Sequence, residues 1–91
     1  MPQRRVTVPN VLGMHARAAA WCARAASGFA SRVWVEREGV RMDGKSIMGL
    51  LLLAAPRGAM LTLTTEGPDA EAALEALATL VEEGFEETPA S

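Results

Sequence analysis

Glycine and proline interrupt this chain so often that only short elements joined by tight connections can form. Pro9, Gly13, Gly28, Gly39, Gly44, Pro56, Gly58, Gly67 and Pro68 each mark a break or a turn. Between the breaks the hydrophobic period changes from segment to segment. Arg4-Arg5-Val6-Thr7-Val8 is β-branched and alternating, a strand stopped by Pro9. Residues 16–26 are dominated by alanine, the best helix former, with Gly28 placed to end the helix. Ala19, Cys22, Ala23 and Ala26 recur on one face and form its core stripe. Residues 31–36 alternate again, with Val33 and Val35 together. Glu38-Gly39 is then a hairpin turn into a short strand at residues 40–42.

The apolar run Ile47-Met48-Gly49-Leu50-Leu51-Leu52-Leu53 has no decisive period. Ser46 can cap it and Pro56-Arg57-Gly58 closes it, which favours a short helix. Residues 60–65 alternate as a fourth strand. Gly67-Pro68-Asp69 opens the last helix, with Asp69 as candidate N-cap, Leu74, Leu77, Leu80 and Val81 as its buried stripe, and Glu71, Glu75, Glu82 and Glu83 facing water. The tail after Phe85 is expected to fray. The resulting order, βαββαβα, points to an α+β domain: a four-stranded antiparallel sheet with three helices on one face. Residues 1–91 read as a single domain with an ordered core of about 3–86.

Composition bears on setting and on excluded functions. With 49% hydrophobic residues the chain can fill a core, yet no apolar run approaches the roughly 20 residues of a membrane span. Arg4 and Arg5 are followed by no long apolar segment of the secretory kind, and the single Cys22 has no partner for an internal disulfide; a cytoplasmic setting is expected. A net charge of −2 argues against general nucleic-acid affinity. With two Trp, two Phe and no Tyr, the chain also lacks the aromatic ladder of an RNA-binding sheet. Most basic residues lie at or before Arg41, and from Glu66 onward every charge is negative.

The junction Gly13-Met14-His15-Ala16-Arg17 is the most informative stretch. A helix beginning at Ala16 puts His15, the only histidine, at its N-cap, beside backbone N–H groups of Ala16 and Arg17 that have no helical partner. An anion attached to the ring would meet donors already in place, and Arg17 could pair with its oxygens. Spacing alone does not single out that chemistry, since a histidine near a helix start with an arginine beside it is common. A metal site lacks a second histidine or a cysteine cluster, and Cys22 falls within the core stripe. On the same helix Arg17, Trp21 and Arg24 share a face with Ala20. Ile47, Met48 and Leu51 form a second apolar strip, and together the two strips suit protein docking.

Asn10-Val11-Leu12-Gly13-Met14-His15-Ala16-Arg17-Ala18-Ala19 resembles the phosphorylation-site motif of the HPr family, the bacterial histidine phosphocarriers of the phosphoenolpyruvate-dependent phosphotransferase system. Lys45-Ser46-Ile47-Met48-Gly49-Leu50 resembles that family's regulatory-serine signature, and the resemblance extends over essentially the whole chain. It implies an open-faced β-sandwich and a carrier rather than an enzyme. His15 would take a phosphoryl group on Nδ1 from phospho-enzyme I and pass it to an enzyme IIA protein or domain in sugar uptake or its regulation, with Arg17 steadying the phosphate.

The resemblance further implies that Ala20, Trp21, Arg24, Ile47, Met48 and Leu51 meet those partners. Ser46 becomes a candidate for phosphorylation by an HPr kinase/phosphorylase. The expected carrier is a monomer that needs no cofactor or metal and binds neither nucleic acid nor membrane. A regulatory HPr-like protein, of the nitrogen-type branch or acting through phosphorylated Ser46, is the alternative. One residue departs from the pattern: the family usually has proline after the arginine, where this chain has Ala18. A slightly altered first helical turn is expected from that change.

Overall fold

In the computed structural model, which describes residues 1–85, seven elements follow in the expected order. They are β1 (Gln3–Thr7), α1 (Ala16–Ser27), β2 (Arg32–Arg37), β3 (Val40–Asp43), α2 (Ile47–Leu52), β4 (Met60–Glu66) and α3 (Ala70–Glu82). Boundaries differ from the sequence expectation by a residue or so. Val8 lies just beyond β1, but its backbone stays engaged: its N–H donates to Ala59 at 2.9 Å and its carbonyl accepts from Gly58 at 2.8 Å. The expected fraying after Phe85, and residue 86 of the expected ordered core, fall outside the described residues.

The strands form one antiparallel sheet in the order β1-β4-β2-β3. Period-2 alternation sends Val6, Val33, Val35, Leu61 and Leu63 to one face, where all are buried. The other face is open. Across it Arg5, Thr62, Glu36 and Arg41 stand in one cross-strand row, Arg32 lies opposite Glu66, and the Arg41 guanidinium sits 4.3 Å from the centre of the Trp34 ring. Opposite charges placed across strands hold that face in water without a covering layer. The Glu38-Gly39 turn between β2 and β3 forms as the dipeptide suggests, with both residues at positive φ (51° and 83°).

All three helices pack over the apolar face. α1 presents Ala18, Ala19, Cys22, Ala23 and Ala26, small side chains that let its backbone come close to its neighbours. α3 buries Leu74, Leu77 and Val81 as expected, while Leu80 is only half-buried at the edge of that stripe. α2 has six residues, too few to stand alone in water. Burial of Leu50 and of the following Leu53, about 1.5–3 kcal/mol for each side chain, holds it in place.

Asp69 occupies the N-cap position of α3 but makes no side-chain cap, contrary to expectation. Its carboxylate turns instead to the loop after α1, accepting from the Ala30 N–H (2.9 Å), the Ser31 N–H (2.8 Å) and the Ser31 hydroxyl. The Ser31 hydroxyl in turn accepts from the Asp69 N–H at 3.1 Å. These donors hold the Asp69 carboxyl below its ordinary range, the Ser31 hydroxyl contributing most.

Candidate functional site

The segment leading into α1 is built to hold His15 still. Asn10 Nδ2 donates to the Gly13 carbonyl (2.8 Å), Gly13 N–H to the Asn10 carbonyl (3.2 Å), and His15 N–H to the Gly13 carbonyl (2.9 Å). Met14 is buried in the core, and its N–H donates to the Ala55 carbonyl at 2.8 Å, which ties the loop to the turn after α2. Gly13 is required there twice over. Its φ is +64°, and a Cβ on it would lie 2.4 Å from the Ala55 carbonyl oxygen and 2.9 Å from Pro56 Cα, so any side chain would collide with backbone.

His15 is the N-cap of α1, with extended φ/ψ of −79° and 177°. Its carbonyl accepts the first helical bond, from Ala19 N–H at 2.8 Å, and its Nδ1 accepts from Ala18 N–H at 3.4 Å. That contact sits at the long end of hydrogen bonding, but it orients Nδ1 toward the start of the helix. The N–H groups of Ala16 and Arg17, the first two of α1, have no acceptor among the described residues. Ala16 and Arg17 are exposed and His15 is half-buried. One ring nitrogen, two open backbone donors and the positive end of a helix dipole therefore meet at one point on the surface, with the exposed Arg17 in the same turn, a combination that suits an anion. Ala18 is fully buried at this turn and leaves the helical geometry intact.

The other sequence-derived candidates fall into two groups. Arg17, Ala20, Trp21 and Arg24 lie along α1 as expected; Arg24 is exposed and Ala20 half-buried. Trp21 is half-buried and packs against the core, so only part of the ring faces solvent. Ser46 is the N-cap of α2, its Oγ accepting from Gly49 N–H at 3.0 Å. Ile47 and Met48 are exposed, Met48 to 68%. Leu51 packs against the core and exposes only part of its surface; the leucine that α2 turns outward is Leu52, at 64% exposure. A leucine run without a clear period concealed which leucine would be outside. Val11 and Leu12 are exposed as well, Leu12 to 67%. Two apolar side chains in a loop, four and three residues before the histidine, are the available signal for them. Helix α1 packs on α2 and the loop before α1 is bonded to the end of α2, so all these apolar groups belong to one region.

Ser46 stands at the far end of α2 from the Ala55 contact, about 9 Å of helix away for six residues. Cys22 is buried and its thiol is pushed up to about 12 by burial, which suits packing and not nucleophilic chemistry. No cluster of three His, Cys, Asp or Glu side chains suited to a metal ion occurs among the described residues. No described helix is long and apolar enough to cross a membrane.

Comparison with known proteins gives a consistent result. Residues 2–83 match the family model described as the PTS HPr component phosphorylation site. The phosphocarrier protein HPr of Cupriavidus necator is 46% identical over 87 residues, 96% of this chain and 98% of that protein. The HPr-like protein Crh of Bacillus subtilis is 42% identical over 83 residues, 91% of this chain and 98% of that one. Among solved structures, an HPr from Thermoanaerobacter tengcongensis superposes with a TM-score of 0.92 at 39% identity, covering 97% of this chain and 99% of that chain.

Proposed function

The chain belongs to the HPr family of phosphocarriers, and from that premise we propose that His15 accepts a phosphoryl group from phospho-enzyme I and donates it to an enzyme IIA protein or domain. The observation that carries this reading is the placement of Nδ1 at the N-cap of α1, directed at the helix amides, with Arg17 in the first turn. In acceptance, the Nδ1 lone pair attacks phosphorus as the bond from phosphorus to the donor's leaving nitrogen breaks. The proton on the other ring nitrogen is not required to move. Once Nδ1 carries the phosphoryl group it no longer accepts from Ala18. The Ala16, Arg17 and Ala18 N–H groups then face phosphoryl oxygens, with the Arg17 guanidinium as the mobile counter-charge. Donation to the next protein is the same in-line displacement in reverse.

The carrier supplies a nucleophile and a preformed anion site, and its partners supply the rest of the catalytic constellation. The partner-binding region is the half-buried and exposed surface of α1 and α2: Ala20, Trp21, Arg24, Ile47, Met48 and the accessible part of Leu51, together with Leu52 and Leu12. Apolar groups rimmed by Arg17 and Arg24 suit an acidic partner surface with an apolar centre. Ser46 is the regulatory position in this reading. A phosphate there would place a dianion at the edge of the docking helix and repel such a surface.

The test is to incubate the protein with enzyme I, magnesium and phosphoenolpyruvate and weigh the intact chain. An acid-labile phosphate adduct that is missing in His15→Ala is the expected result. No adduct, or one that persists in His15→Ala, would sink the carrier mechanism.

A further inference from the structure

We propose that Arg37, on the far strand of the hairpin from the helix it contacts, is a positioning residue for His15; the inference rests on the reading of His15 as the transfer residue. Arg37 is the last residue of β2, half-buried, and its Nη1 donates to the Leu53 carbonyl at 3.1 Å. Its other contact is a loose ion pair with the exposed Glu38, at 3.8 Å. Leu53 is the C-cap of α2, and its carbonyl belongs to the group that a helix end leaves without an internal partner. α2 has no basic residue in its own last turn, so Arg37 supplies from outside both the missing donor and the favourable charge.

From Leu53 the path to the histidine is short and continuous. Ala54 turns the chain at φ +50°, a conformation an alanine keeps only where the surroundings impose it. Leu53 and Ala55, on either side, are both buried. The Ala55 carbonyl then takes the Met14 N–H at 2.8 Å, and Met14 adjoins His15. A six-residue helix cannot hold its own end in place. The guanidinium therefore fixes Leu53, Leu53 and Ala55 bracket the strained residue, and Ala55 sets the height and direction of the loop that delivers the imidazole. No local pattern marks Arg37 for this role, because it lies 16 residues from its acceptor and in a different element.

Two variants test it. Arg37→Met keeps the aliphatic stem and removes the donor; Arg37→Lys keeps a cation that can reach the carbonyl. The readouts are hydrogen exchange at the Met14 amide and kcat/KM for phosphate acceptance from phospho-enzyme I, both well below the unfolding temperature. Loss of one such bond predicts Met14 exchange faster by about threefold to tenfold and kcat/KM lower by a similar factor in Arg37→Met, largely restored in Arg37→Lys. Asp69→Asn, at the opposite end of the fold from the His15 loop, is the control for general loosening and should leave Met14 exchange unchanged. Unchanged Met14 protection in Arg37→Met overturns the proposal, as does a rise shared equally by Val33 and Val35 in the sheet. Should the wild-type protein take no phosphate at all, the functional reading fails by itself, and the exchange comparison still decides whether Arg37 holds the loop.

Discussion

Gly13 closes on the carbonyl of Ala55 so tightly that a Cβ at position 13 would lie 2.4 Å from that oxygen. The contact joins the loop before His15 to the turn after α2, two segments more than forty residues apart in sequence. Gly13→Ala must therefore move backbone, and must also hold alanine at a φ of +64°. We expect a loss of about 2–4 kcal/mol of stability by urea unfolding. We also expect phosphate acceptance to fall further than the folded fraction alone would require. Wild-type acceptance in a destabilised Gly13→Ala protein would mean that the loop does not need this contact.

Much of this site was legible before the structure, for physical reasons that differ by residue. His15 as an N-cap followed from a breaker, Gly13, next to an alanine run, which is local information. The Glu38-Gly39 turn and the alternation around Val33 and Val35 were local too. An aspartate directly before a helix usually caps it, and that local rule is all the sequence offers for Asp69. Its real partners, Ala30 and Ser31, are 39 and 38 residues away and leave no trace in nearby sequence. Leu51 belongs to the expected docking strip and keeps part of its surface accessible, but the exposure of Leu52 beside it is not legible in the sequence, for another reason. In a leucine run every register looks equally apolar, and only the packing of α2 on α1 decides which side chain turns outward.

Ser46 separates a structural role from a regulatory one. Its hydroxyl accepts from Gly49 N–H, so Ser46→Ala should lower stability by about 1 kcal/mol, the usual loss for a helix N-cap. It should leave acceptance by His15 close to wild type once the protein is folded. Ser46→Asp keeps an acceptor at the cap and adds a charge, so it should preserve stability and slow transfer from phospho-enzyme I, chiefly through KM. If Ser46→Asp transferred at the wild-type rate, charge at this edge would not matter to docking. Thermal unfolding and steady-state transfer on the same three proteins decide both points.

Arg17 and Arg24 share an exposed face of α1, but only Arg17 lies within its first turn, two residues after His15. Arg24→Ala should act on encounter, lowering kcat/KM most at low salt and converging with wild type as ionic strength rises. In the proposed carrier Arg17→Ala would remove a charge-assisted bond to the phosphoryl group itself, worth about 1.5–3 kcal/mol, and its deficit should persist at high salt. Two deficits with the same salt dependence would contradict this division of labour.

Asp69 yields a prediction with a definite sign. Its carboxylate accepts from Ala30 and twice from Ser31, and these bonds hold its folded-state pKa below the value of about 3.9 expected in the unfolded chain. A group with a depressed folded pKa binds its proton more readily when unfolded. Its contribution is therefore complete above the unfolded pKa and is lost as pH falls through the folded one. At neutral pH Asp69→Asn should be less stable than wild type, because the charged acceptor that clamps residues 30 and 31 is gone. Below about pH 4 the wild-type curve should fall toward the variant's, as protonation removes the same charge. Urea midpoints measured for both proteins from about pH 7 down to about pH 2 test this directly. Converging curves fit the clamp, and curves that stay parallel would place the acid sensitivity in other carboxylates. Phosphate acceptance by His15 should be the same in the two proteins wherever both are folded, since the clamp joins the end of α1 to the start of α3 and leaves the beginning of α1 untouched.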